Sequence, residues 1–479
     1  MNTEQILIRG VETLIEAPGR VRAGPVDILL RDGRIAAVGP ALAEPQGATV
    51  IEGHGLLAAP GLVNAHWHSP MQLSHGTSDR LNHQAFMWEN QVDTANRSAE
   101  EIYASAVIGC LQMLKSGTTA VIDHFPEQGF GPEDVAAVVR AYRDCGMRAV
   151  VALRIFDGEY ADILPAADRV TPALAAALAA NNPLAPRPLA ETLDIVRGAI
   201  EAHDRTENRI RIFPGPSNPV RCSDALLLAS QAIAEEYDTG VHCHLLETRV
   251  QAELASARYG RTMVEHLDAI GAFGRRWSNA HCNWLSDAEI AIMARRGAVA
   301  VLNPESNLKI GSGIPPIPRL LAAGVPCALG NDGASTNDNL ILQDAMQLAA
   351  ILHRPSEPDR RNWVTVADVM AMATTGGAAA MLEPELGRLE PGCKADLVLY
   401  DLAAPWWVPL NDPGQQFVFG ERGGSVRTVI VDGRLVVRDG RALLVDEEAC
   451  SRAARHILPA VRARNGRIAQ IAFEVAALQ

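Results

Sequence analysis

The chain has 479 residues, 48% of them hydrophobic and 21% charged, and a net charge of −13. This is the composition of a globular protein long enough to bury a large core. With 56 acidic against 43 basic side chains and no basic run, it argues against nucleic acid or an anionic membrane surface as partner. No apolar stretch approaches the ~18 residues of a membrane span. The first residues lack a signal-peptide pattern, and the eight cysteines are scattered without a C-x-x-C pair. A cytoplasmic protein without a disulfide framework is expected.

In chain order, residues 1–58 read as short strands, "QILIRGVETLI", "VDILLRDGRIAAVG" and "ATVIEGHGLLAAPG". The Asp-Gly pair inside the second is a hairpin-turn signal. Residues 387–445 repeat that style in "KADLVLYDL" and "VRTVIVDGRLVVRDGRAL". The two pieces are expected to pair into one composite β-sandwich. Between them, residues 59–386 alternate helical stretches with eight apolar runs. These are "LLAAPGLVNAH", "TTAVIDH", "RAVVALR", "IRIFPGPS", "TGVHCHL", "SNAHC", "AVAVLNP" and "VPCALGNDG". Runs of this kind are strands buried on both faces, and eight strand–helix units predict a (β/α)8 TIM barrel. An open doubly wound sheet is the weaker alternative, since no G-x-G-x-x-G follows the first run. Residues 161–188 are an Ala/Pro-rich insertion, a lid, subunit contact or solvated excursion. Residues 446–479 read as a helical C-terminal segment.

Barrel active sites lie where strands end, and the polar residues cluster there. His66 and His68 close the first run, His242 and His244 the fifth, His281 the sixth and Asp332 the eighth. Residues i and i+2 of a strand face one side, so His66 and His68 can both point into the barrel mouth. His124, Arg154, Ser217, Asn218, Asn303, Ser306 and Asn307 also follow strands, as substrate contacts or as loop-bracing hydrogen bonds. In the loop 69–91, Trp88 can stack on a heteroaromatic ring or join the core. His75, Asp79 and His83 make its surroundings polar.

The motifs "PGLVNAHWH", "HCHLLET", "NAHCNWL", "NPESNLKIGSG" and "GNDGASTND", in this order, resemble the amidohydrolase superfamily. The nearest branch holds the cytosine, guanine and S-adenosylhomocysteine deaminases, with hydroxy-s-triazine hydrolases nearby. The "DH" after the second run is also similar to 8-oxoguanine, isoxanthopterin and hydroxyatrazine hydrolases. The resemblance implies that His66, His68, His244 and Asp332 hold a metal. His242 is the alternative at the fifth strand, but only His244 fits the family's H-x-x-E. Glu247 is implied as proton shuttle, His281 as the polarising residue, and Asp332 as a proton acceptor as well as a ligand. Three imidazoles and a carboxylate suit one divalent ion, Zn²⁺ first, with Fe²⁺, Mn²⁺, Co²⁺ or Ni²⁺ as other occupants. Such an ion lowers the pKa of a water from about 15.7 to about 7. Binuclear members bridge their metals with a lysine after the fourth strand. The three lysines here, Lys115, Lys309 and Lys394, lie elsewhere, so a mononuclear site is expected.

The implied function is an aminohydrolase that attacks a ring carbon of a purine, pterin, pyrimidine or hydroxy-triazine and releases ammonia or an amine. The alternatives are the same site acting on an amide, carbamate, carbon–halogen or carbon–sulfur bond, and a non-catalytic scaffold of the same fold. The implied partners are a small heterocyclic substrate and further copies of the chain, with neither nucleic acid nor membrane.

Overall fold

The computed structural model describes residues 5–79, 81, 83–126, 129–159 and 170–476, with only the backbone of 84 and 85. Five strands come first: β1 (Ile6–Ala17), β2 (Arg20–Arg31), β3 (Arg34–Gly39), β4 (Thr49–Glu52) and β5 (Leu56–Pro60). Eight follow between helices. They are β6 (Leu62–Trp67), β7 (Thr118–Phe125), β8 (Arg148–Ile155), β9 (Ile210–Pro216), β10 (Val241–Leu245), β11 (Trp277–His281), β12 (Val299–Leu302) and β13 (Cys327–Leu329). The last four are β14 (Leu397–Asp401), β15 (Val426–Val431), β16 (Arg434–Arg438) and β17 (Arg441–Ala442).

The terminal strands form one nine-stranded sheet in which β5 pairs antiparallel with β14. The sheet curls on itself, because the Ile35 N–H of β3 donates to the Cys393 carbonyl ahead of β14. Ile6, Ile28, Leu397 and Ile430 share the resulting sandwich core. The Asp-Gly turns are as the sequence predicts. Asp32 and Gly33 sit at φ 53° and 71°, and Asp432 and Gly433 at 52° and 73°. Two successive positive φ angles are the hairpin geometry that Asp-Gly favours.

The barrel strands form two parallel four-stranded sheets, β6–β9 and β10–β13. One seam is bridged where the His244 N–H donates to the Ser217 carbonyl at 3.3 Å. The other is bridged where the Asp332 N–H donates to the His66 carbonyl at 2.9 Å. The structure is therefore a TIM barrel with a small β-sandwich. Its interior is packed by alternate residues, Ala120 and Ile122 on β7, Val150 and Ala152 on β8, Val299 and Val301 on β12. Continuing each row by two residues reaches His124, Arg154 and Asn303. The period of two thus delivers apolar side chains to the core and polar ones to the rim.

At the opposite end the barrel is joined to the sandwich by charge. Arg148, 1% exposed at the start of β8, donates to both carboxylate oxygens of Asp396 at 2.9 Å. It also donates to Asp432 at 3.0 Å and to the Asn208 carbonyl at 3.1 Å.

The C-terminal segment is helical over Glu447–Ala454, Ile457–Arg464 and Gly466–Ala476. Its last helix packs on the helix His83–Thr94, where Ile468 and Ile471 meet Trp88 and Val92. Arg462 bridges Asp93 at 2.6 and 3.0 Å, and Asn465 Nδ2 donates to the Val92 and Ala95 carbonyls at 3.1 and 2.8 Å. Of the insertion expected at 161–188, residues 161–169 lie outside the described residues. The remainder includes the helix Pro172–Ala180, whose Leu174 and Leu178 join the same cluster. Among the described residues, no helix is long and apolar enough to cross a membrane.

Candidate active site

On β6 the inward row is Val63 and Ala65, and a register shift between Asn64 and Trp67 turns His66 into the site out of that alternation; His68 follows the strand and lines the site cavity. His244 comes from β10, Asp332 from the turn after β13, and all four are at most 7% exposed. His68 Nε2 lies 3.2 Å from His244 Nε2 and 3.4 Å from Asp332 Oδ1. His66 Nε2 lies 3.5 Å from the same Oδ1. His281 closes β11 with its ring centroid 5.4 Å from that of His66 and 5.3 Å from that of His244.

The hydrogen bonds around these rings fix their protons. A carbonyl oxygen only accepts, so the contacts of His68 Nδ1 with the His124 carbonyl (2.9 Å) and of His244 Nδ1 with the Ser217 carbonyl (2.5 Å) place a proton on each Nδ1. In the neutral ring the Nε2 atoms are then bare lone pairs. Two such lone pairs facing each other at 3.2 Å repel unless a cation lies between or beside them. His66 Nε2 is buried with no hydrogen-bond partner. Neutrality is enforced by burial, which lowers the pKa of His66 to about 4 and those of His124, His242 and His244 well below the usual imidazole range. Buried bare nitrogens with a carboxylate among them are the donor set of a divalent metal. His66, His68, His124 and His244 form one such group, and His66, His281 and Asp332 another.

Both carboxylates of the site are held ionised. Burial alone would raise Asp332, but its 3.5 Å contact with His66, together with His281 and His68, holds it well below the usual carboxylate range. Its Oδ2 accepts from Ser306 Oγ at 2.5 Å, and its Oδ1 from the Gly333 N–H at 2.8 Å. For Glu247, burial is likewise outweighed by His281 and His83, which bring it down to about 2. His83 Nε2 lies 3.0 Å from Glu247 Oε2, and Ser312 Oγ donates to Oε1 at 3.4 Å. Burial works against a charged His83, but Glu247 outweighs it and raises the imidazole pKa. His281 Nδ1 donates to Asn307 Oδ1 at 2.8 Å, which turns its Nε2 toward Glu247, 3.9 Å away.

The backbone is bent at these positions. Leu246, His281, Cys282 and Asp332 have φ of 47°, 77°, 54° and 61°, a region non-glycine residues seldom visit. Such strain gathers at functional sites because the surrounding structure must over-determine it.

A cavity of about 460 Å³, counted out to its open mouth, is lined by His68, Met71, His83, Phe86, Met87 and Arg154 on one side. Asn218, Arg221, His244, Glu247, His281, Ile310 and Asp332 complete the lining. Of the expected substrate contacts, Arg154 lines the cavity and donates from Nε to Ser217 Oγ at 3.1 Å. Ser217 itself orients His244 through its carbonyl. His124 sits behind the rings, with Nε2 donating to the Gly215 carbonyl at 3.1 Å and Nδ1 unpartnered. Asn303 and Ser306 are fully buried; Ser306 braces Asp332, and Asn303 lies beside His281. Trp88 does not reach the cavity. It is 1% exposed within the C-terminal helix cluster, and its neighbours Phe86 and Met87 line the wall instead.

A profile of the amidohydrolase family matches residues 57–436. The chain belongs to the amidohydrolase family. It is 35% identical over 452 residues to the 5'-deoxyadenosine deaminase of Methanothermobacter thermautotrophicus, covering 94% of this chain and 96% of that protein. It is 34% identical over 444 residues to the 5-methylthioadenosine/S-adenosylhomocysteine deaminase of Desulforudis audaxviator, covering 91% and 95%. Among solved structures, a zinc-bound adenosine deaminase of Xanthomonas campestris superposes with a TM-score of 0.83 at 26% identity, covering 96% of this chain and 98% of that one. The zinc complex of atrazine chlorohydrolase from Arthrobacter aurescens also gives 0.83 at 26% identity, covering 95% and 100%. This amidohydrolase is thus a metal-dependent hydrolase of carbon–nitrogen bonds.

Proposed function

We propose that this amidohydrolase is an aminohydrolase that removes the ring amine of an adenine nucleoside altered at its 5' position, using one zinc ion held by His66, His68, His244 and Asp332. The observation that carries the reading is the meeting of bare imidazole nitrogens with the ionised Glu247 in one cavity. The curated relatives, both deaminases of 5'-altered adenosines over nearly the full chain, supply the substrate class. When bound, a divalent ion there activates a water by lowering its pKa to about 7.

The remaining chemistry belongs to the side chains. Glu247, already ionised, accepts a proton and delivers it to the ring nitrogen beside the amine-bearing carbon. His281 Nε2 faces the same space and polarises the attacked centre. Asp332, held as an anion, accepts the second proton, which leaves with the amine. Met71, Phe86, Met87 and Ile310 give the heterocycle apolar walls. A single ion fits the lysine inventory: Lys115 pairs with Glu447 at 2.7 Å, Lys394 with Glu383 at 2.6 Å, and Lys309 with Asp338. A homo-oligomer in the cytoplasm completes the reading, and light scattering on the purified protein checks the assembly.

The test is ammonia release from 5'-deoxyadenosine, 5'-methylthioadenosine, S-adenosylhomocysteine and adenosine, with metal counted on the same sample. Pterins, hydroxy-triazines and a chlorotriazine serve as comparators. Ammonia from none of the nucleosides by the zinc-loaded protein defeats the substrate assignment. Chloride release from the chlorotriazine instead would favour the carbon–halogen activity of the Arthrobacter neighbour.

A further inference from the structure

His66 is held differently from the other two imidazoles. His68 and His244 donate their Nδ1 protons to main-chain carbonyls. His66 Nδ1 instead meets a side chain, His242 Nε2, at 2.8 Å. His242 Nδ1 lies 2.7 Å from Ser278 Oγ, and that hydroxyl lies 3.4 Å from the Val241 carbonyl. His242 and Ser278 are register partners on β10 and β11, and no side chain in this row is more than 1% exposed.

Each link of the row needs one proton, and two arrangements supply it. In one, His66 Nδ1–H donates to His242, His242 Nδ1–H donates to Ser278, and the Ser278 hydroxyl donates to the Val241 carbonyl. His66 Nε2 is then bare. In the other, the Ser278 hydroxyl donates to His242 Nδ1 and His242 Nε2–H donates to His66 Nδ1. His66 Nε2 then carries a proton into the centre of the site, where it faces Asp332 Oδ1 at 3.5 Å. Carbonyls cannot reverse in this way, so His68 and His244 have no such choice.

We propose that His242 and Ser278 form a reversible proton relay that sets which nitrogen of His66 is bare, and so governs how tightly the site takes its metal. His242 is a positioning residue that acts through His66, not a further ligand. The inference rests on His66 being a ligand, as proposed above. Outer partners of ligating histidines are worth roughly 10- to 100-fold in metal affinity, and this row makes the contribution depend on two replaceable side chains.

The experiment measures zinc affinity of the full chain by competition with a chromophoric chelator, together with the visible spectrum of the cobalt-loaded protein. H242L, close in volume but unable to accept, is expected to lose roughly 10- to 100-fold in affinity and to shift the cobalt bands. H242Q, whose side-chain carbonyl can accept from His66, recovers most of that loss. S278A removes only the outer link and loses less. A purely structural role would lower the melting temperature of all three without moving affinity in the folded protein. Wild-type affinity and cobalt spectrum in folded H242L overturn the relay. Should H242L not fold, unchanged affinity in S278A overturns it. H66A separates this failure from failure of the ligand assignment: zinc retained in H66A means that His66 is no ligand, whereas zinc lost in H66A but kept in H242L means that the relay alone is wrong.

Discussion

Two buried polar clusters sit at opposite ends of the same barrel and are built on opposite rules. Around Arg148, each guanidinium nitrogen has an acceptor: Asp396 is gripped through both oxygens, Asp432 through one, and the Asn208 carbonyl takes another N–H. Around His66, the rings of His68 and His244 are held from outside by carbonyls while their inner nitrogens face one another without protons. The first cluster is complete as it stands and ties the barrel to the sandwich. The second presents lone pairs and a carboxylate, the donor set of a cation. A buried polar group left unsatisfied is destabilising by about 1–3 kcal/mol, so its persistence in a packed core marks a ligand-binding centre.

The largest effect that could break this contrast is on turnover. E247Q should keep its metal and lose about 100- to 10,000-fold in turnover, the worth of a general acid–base group. A rate constant near wild type would remove Glu247 from the chemistry. At the other cluster, R148A should cost about 3–5 kcal/mol in urea unfolding, because it leaves buried carboxylates unpaired. Zinc content should stay unchanged, and a loss of zinc would show that the two ends are coupled. Next is metal itself. Stripping it with a chelator should lower stability by about 2.7 kcal/mol relative to zinc at 100 times its dissociation constant. In H68A the chelator should produce little further change, and an equal change would place the ion elsewhere.

The last expected effect is a pH dependence. Glu305 accepts from Asn331 Nδ2 at 3.4 Å and Asn337 Nδ2 at 3.5 Å. Burial and the nearby Asp344 charge push its carboxyl up to about 8 from an ordinary 4.5. A carboxyl whose pKa is raised on folding favours the native state most when protonated. Its contribution is fully present below about pH 4.5 and is lost as pH rises through about 8. E305Q should therefore flatten the fall in melting temperature across that window. Parallel wild-type and E305Q curves would show that Glu305 does not titrate there.

The sequence is most legible where a rule of local geometry acts alone. Parallel strands buried on both faces must be apolar runs, so all eight barrel strands stand out, and a period of two carries their last residues to the rim. His66, His68, His244, His281 and Asp332 stand out because they close such runs, although a register shift in β6 and the positive φ of His281, rather than the alternation alone, turn His66 and His281 into the site. The Asp-Gly turns are legible for the same reason, since few other pairs tolerate two positive φ angles. Legibility ends where one element must be placed on another. Trp88 lies one or two residues from two cavity-lining side chains, and only the docking of the C-terminal helix turns it inward. His83 reaches Glu247 because a helix begins there. His242 looks like a rival to His244 until the β10–β11 register sets Ser278 beside it.

The contact between the helix Gly466–Ala476 and the helix His83–Thr94 has a reach beyond packing. His83, Phe86 and Met87 form part of the wall around the heterocycle, and the bolt that keeps that wall seated is Arg462 with Asn465, nearly four hundred residues downstream of the first histidine pair. Changes at the tail, an affinity tag or a crosslink included, are thereby transmitted to substrate fit without touching a single group that does chemistry.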